Sequence, residues 1–85
     1  MHPKHIHYLE GRGQQAEGTL LAFLQRLGPQ PGLLGAYLLA APTQPGVWLL
    51  ESHWEGEVPV LDIPQGYQHW SFEVRAAIGE GGQTP

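Results

Sequence analysis

Two pairs of residues have types and a spacing that suit chemistry. His5 and His7 lie two apart, and so do Glu51 and His53. Residues two apart share a strand face, so each pair aims its polar atoms to one side. Imidazole with carboxylate is a donor set for zinc, nickel, copper or iron. Solvated or hydrogen-bonded histidines near a strand end account for the same residues without an ion. His5, His7 and His53 are therefore weak metal candidates, and no metal is expected. His69 has Asp62 and Glu73 as acid–base partners in sequence, but no nucleophile accompanies them, so surface roles are expected. The chain has no cysteine, which excludes thiolate nucleophiles and thiolate metal sites. Gly11-Arg12-Gly13 does not make a phosphate loop, because the strand–Gly-rich–helix–Lys pattern is not completed by a lysine.

The elements that must position these residues centre on Pro31 to Gly56. Leu33 to Ala41 is uncharged, and Val47 to Trp54 is rich in aromatic, Leu and β-branched side chains. Between them, Pro42 and Pro45 fix φ and remove donors, while Gly46 permits positive φ. Two apolar runs around such a turn predict a β-hairpin. Helix is the competing form for the first run, but Gly32, Gly35 and Pro42 oppose it. By alternation, Leu34, Ala36, Leu38 and Ala40 share one face, and Leu33, Gly35, Tyr37 and Leu39 the other. In the second strand Trp48, Leu50, Ser52 and Trp54 oppose Val47, Leu49, Glu51 and His53. An antiparallel sheet with one wet face alternates apolar with polar. This hairpin does not, so both faces should be covered.

His5 to Glu10 alternates and predicts a first strand. Gln14 to Leu27 carries Leu20, Leu24 and Leu27 at helical spacing, widened by Phe23 and Ala16. Arg26 suits the end of that helix, Gly28 a C′ position, and Pro29 and Pro31 forbid continuation. Pro59 and Pro64 oppose regular helix after Glu55. Tyr67 to Ile78 fits helical and strand spacing alike, and Pro64 at an N1 position tips the expectation to helix. Residues 1–78 are expected to form a single domain, with 79–85 a flexible C-terminal tail.

At 85 residues, such a domain buries only about 60% of its unfolded surface and is marginal alone. Without disulfides, oligomerisation is the remaining common means of stabilisation. Length and the two-sided hairpin both point to a homodimer. A net charge of −4 with four basic side chains argues against a nucleic-acid partner. No apolar run reaches the roughly 18 residues of a membrane span, and the N-terminus lacks an apolar signal core. A cytoplasmic protein without a membrane partner is expected.

The segment Pro31-Gly32-Leu33-Leu34-Gly35-Ala36-Tyr37 after a helix, followed past a turn by Val47-Trp48-Leu49-Leu50-Glu51-Ser52-His53-Trp54-Glu55, resembles the antibiotic biosynthesis monooxygenase (ABM) domain family. The match runs from about His5 to Glu57. The resemblance implies an α+β, ferredoxin-like βαββαβ fold, an antiparallel sheet with helices on one face, paired as a dimeric α/β barrel. In that fold the His5/His7 and Glu51/His53 pairs sit on neighbouring strands and would converge. Catalytic members oxygenate aromatic substrates without a cofactor, using an Asn and Trp residues in a helix–sheet cavity. By motif match Trp54 is the cavity Trp, with Trp48, Leu50 and Ser52 on its face and Tyr8, Phe23 and Trp70 lining the same space. The sequence has no Asn; His7 or Tyr8 on the first strand would have to replace it. Ordinary core packing is the competing role for Trp48 and Trp54. A haem-degrading subgroup also uses Asn, Trp and His. After Glu57 the chain departs from the family, because Pro59 and Pro64 interrupt the second helix.

The expectation is thus a homodimer that binds a small apolar or aromatic molecule, with His7 and Trp54 as candidate catalytic residues of a cofactor-independent monooxygenase. A non-catalytic binding or structural module of the same fold is the alternative. A metal- or haem-dependent member, through His5, His7 and His53, is a third.

Overall fold

A computed structural model describes residues 2–79. Its elements are β1 (His5–Arg12), α1 (Ala16–Leu27), β2 (Leu33–Ala40), β3 (Val47–Trp54) and β4 (Gln68–Glu73). The strands form one antiparallel sheet in the order β2-β3-β1-β4, with α1 on one face. This is the expected α+β, ferredoxin-like architecture. The expected C-terminal tail falls outside the described residues apart from Gly79.

The hairpin forms as its turn chemistry dictates. Ala41 to Gly46 connects β2 to β3, and Gly46 takes φ +86°, a conformation that costs a side-chain-bearing residue steric strain. Val47 N–H donates to the Gln44 carbonyl and closes the turn. The face assignment for β3 holds: Leu50, Ser52 and Trp54 are buried on the α1 side. In β2 strict alternation fails. A register irregularity between Leu33 and Gly35 places Leu33 with Ala36 and Leu38 against the core and leaves Leu34 exposed. An extra residue in one strand shifts every side chain before it to the other face.

In α1, Ala16, Leu20, Phe23 and Leu27 are buried. They lie on one stripe, and Leu20, Phe23 and Leu27 meet Leu9, Leu50 and Trp54 of the sheet. Burying each of the large side chains contributes about 1.5–3 kcal/mol. Gly28 caps the helix with right-handed φ −49°, and the positive φ falls at Gly32 instead.

Two expectations are corrected. The helix-leaning segment after Pro64 is the edge strand β4, paired to β1. Gly66, at φ +86°, turns the chain sharply after Pro64, and Trp70 and Phe72 are strong strand formers. The plural helices also reduce to one among the described residues. Where a second helix would lie, the irregular strap 55–67 crosses the sheet, and its Val58, Leu61, Ile63 and Tyr67 pack on the core.

Candidate functional site

The register sorts the chemical residues by face. His5, His7, Leu9 and Gly11 of β1 are opposite Trp54, Ser52, Leu50 and Trp48 of β3, so His7 joins the helix-side face. Ile6 and Tyr8 are opposite His53 and Glu51, on the other, open face. Glu51 and His53 bond there at 2.5 Å, and Tyr37 packs edge-on to His53 with ring centroids 5.6 Å apart. The convergence of His5, His7, Glu51 and His53 is therefore corrected: sheet parity puts the two pairs on opposite sides. His5 bonds the Gly56 carbonyl through Nδ1 at 2.8 Å. No cluster of three or more metal-ligating side chains occurs among the described residues.

The shared space expected for Trp54, Phe23, Tyr8 and Trp70 is also divided. Phe23 and Trp54 are buried on the helix side. Tyr8 and Trp70 are register partners on the open face. Burial, and then the Glu51 carboxylate, push the Tyr8 phenol up from its ordinary value. Trp54 is packed solid and donates its indole N–H to Ser52 Oγ at 2.9 Å. Trp48 is partly buried against the same core.

His7 is the buried titratable group of the helix side, 3% exposed. Its Nε2 shares a hydrogen bond with His69 Nδ1 at 3.1 Å. One ring donates and the other accepts, so one proton serves two nitrogens. Burial, and then the neighbouring His69, lower the His7 pKa to about 4. His7 is a neutral imidazole at pH 7, with a lone pair free for a hydrogen bond or a metal. The sequence offers Asp62 and Glu73 to His69 and predicts surface roles; His69 instead pairs with His7, because β4 runs beside β1 and sets His69 diagonal to it. A strand over 67–78 puts His69 and Ser71 on one face, and the register beside β1 then brings His69 to His7.

The pair lines a hollow of about 190 Å³ with Ser71, Val58, Pro59 and Leu61. Across the strap lies a second hollow of about 500 Å³, between the end of α1 and the strap, walled by Phe23, Leu27, Pro29 and Leu61 with Arg26 and Asp62 at its rim. Val60 and Leu61 border both. The Arg26 guanidinium sits over the Phe23 ring, 5.4 Å from its centroid. The larger hollow falls within the roughly 300–1,000 Å³ of small-molecule sites.

No protein-family model and no curated protein matches the chain. Solved structures do. The haem-free heme-degrading protein Rv3592 of Mycobacterium tuberculosis superposes with a TM-score of 0.59 at 18% identity, over 92% of this chain and 99% of that one. An MhuD mutant with two manganese protoporphyrin IX molecules per active site gives 0.57 at 17% identity, over 92% and 100%. MhuD with two haems in its active site gives 0.54 at 16% identity, over 87% and 99%. These proteins have the ABM fold. The chain shares that fold along most of its length. No helix among the described residues is long and apolar enough to cross a membrane.

Proposed function

We propose that this protein binds a flat, largely apolar ring system of the porphyrin class on the helix side of its sheet, and works as a homodimer joined through the open face. The observation that carries the binding is the neutral, buried His7 beside His69, next to a larger apolar hollow with a cation at its rim. A neutral imidazole suits a haem iron. Phe23, Leu27 and Leu61 offer apolar surface, and Arg26 offers a guanidinium to a carboxylate side arm. The strap separates the two hollows, so a planar ligand that spans both must displace Val60 and Leu61. Val60 is fully exposed and holds the strap down little. Haem, when bound, would supply its own redox chemistry. The chain's part is to exclude water, orient the ring and present an imidazole.

The likeness to haem-degrading proteins supports this class of ligand over the cofactor-independent oxygenase first expected. That reading needs Trp54 beside a substrate, and its indole is sealed against Ser52. A non-catalytic binder is the second reading, favoured by the same sealed Trp54 and by the absence of Asn.

Titration of the protein with haemin tests the proposal. Saturable binding with a shifted Soret band is expected, weakened at least about tenfold by His7→Ala or by His69→Ala. Unshifted haemin spectra, or binding by both variants as tight as by the native protein, would overturn it. Reductant and oxygen added to the bound form then separate a degrading enzyme, which bleaches the band, from a binder, which keeps it.

A further inference from the structure

We propose that His7 Nε2 and His69 Nδ1 form a site for a bare divalent transition-metal ion of the zinc class, independent of any porphyrin. The two nitrogens are already 3.1 Å apart. Imidazole nitrogens bind zinc at about 2.0–2.1 Å in tetrahedral geometry, which sets two ligand nitrogens about 3.3 Å apart. The ion would thus replace the single shared proton with a side-chain adjustment of a few tenths of an ångström.

An imidazole binds a metal through an unprotonated nitrogen. The proton in the contact leaves that nitrogen and one is taken up at the other nitrogen of the same ring, so both imidazoles stay neutral and no net proton is released. His7 is fixed on the central strand β1, and His69 stands on the exposed edge strand β4, where its ring can turn by the small amount required. Ser71 is the third polar side chain at the hollow. Its volume, about 190 Å³, holds several waters at about 30 Å³ each. Two protein ligands leave two positions for water or an exchangeable anion, unlike the closed four-ligand shell of a structural site. Nitrogen donors without a nearby carboxylate also select against magnesium and calcium.

Titration calorimetry of the porphyrin-free protein with zinc chloride, paired with cobalt(II) absorption, tests this. One equivalent per chain and the visible band of tetrahedral cobalt are expected. His69→Ala, at an exposed position, should keep the fold and weaken zinc at least about tenfold. His7→Ala should do the same. His5→Ala should leave binding unchanged, since His5 is bonded to Gly56 away from the pair. Absence of zinc binding by the native protein overturns the proposal. So does binding that survives His69→Ala or is lost in His5→Ala. Haemin takes no part, so failure here and failure of the porphyrin reading are separate results.

Discussion

Trp54 donates its indole N–H to the Ser52 hydroxyl at 2.9 Å, and both side chains are sealed between β3 and α1. The indole brings more apolar surface than any other buried side chain and one donor that water cannot reach. Ser52 exists in this core to accept that donor. Ser52→Ala removes the acceptor and keeps the volume nearly intact. The stranded N–H should cost about 1–3 kcal/mol, read as a lower urea midpoint at unchanged slope. In a Trp54→Phe background the same Ser52→Ala change should cost much less, because no indole remains to be satisfied. Equal losses in both backgrounds would show that the hydrogen bond is not the reason for the serine.

The buried His7 imposes a pH dependence on stability. Its folded pKa, about 4, lies below the ordinary value near 6.5. Below pH 6.5 the unfolded chain takes up a proton that the folded chain refuses, so stability falls as pH drops towards 4 and is full above about 7. Between pH 7.5 and pH 5 the loss from this group is about 2 kcal/mol. His69 is the ionisable side chain in contact with it. Urea unfolding at the two pH values, in native protein and in His7→Leu, measures the difference. The leucine variant should lose distinctly less on acidification. Parallel losses would assign the acid sensitivity elsewhere.

Much of the fold was legible because its signals are local. The Pro42–Gly46 turn, the Leu20/Leu24/Leu27 stripe and the alternation of β3 each lie within a few residues, and each forms as read. What escaped depends on long-range pairing. Tyr67 to Ile78 satisfied two periods at once, and only its place beside β1 selects strand. The His7–His69 pair and the separation of Tyr8 and Trp70 from Trp54 follow from that pairing. The exposed Leu34 follows from a one-residue irregularity that composition does not encode. The homologous-looking segment around Trp54 suggested a cavity, whereas packing filled that place and left hollows beside the strap.

Gly11 and Tyr67 test whether the strap is held by shape. A Cβ at Gly11 would run into the Tyr67 ring and also crowd Ala16. Tyr67 belongs to the strap and packs on the core. Gly11→Ala should therefore push the ring off β1 and cost about 1–3 kcal/mol as overpacking. Tyr67→Ala alone should also destabilise, by losing buried aromatic surface. In the Tyr67→Ala background, the Gly11→Ala change should cost little, since the clashing ring is gone. A double-mutant cycle by urea unfolding reads this coupling. Additive losses would mean that the ring yields freely and that the strap is held by other contacts.

The open face carries the homodimer proposal. Tyr37 and Leu39 on β2 and Trp70 and Phe72 on β4 are exposed there, at the two edges of the sheet, and Tyr8 meets Phe72 edge-to-face at 5.9 Å. Exposed apolar side chains on one sheet face of a small domain mark an interface. The occupant that best fits is a second copy, because a face on a chain of this size must find cover and an isologous contact uses the same patch twice. Sedimentation should give twice the 9.3 kDa chain mass. Phe72→Asp puts two charges into the two-fold contact and should yield folded monomers, with the far-ultraviolet spectrum retained. Leu21→Asp is the matched control, since Leu21 is a comparably exposed side chain on α1 away from the sheet face. It should leave the dimer intact. A native protein that sediments at the chain mass at micromolar concentration, or two variants that dissociate alike, would remove the open face as the interface.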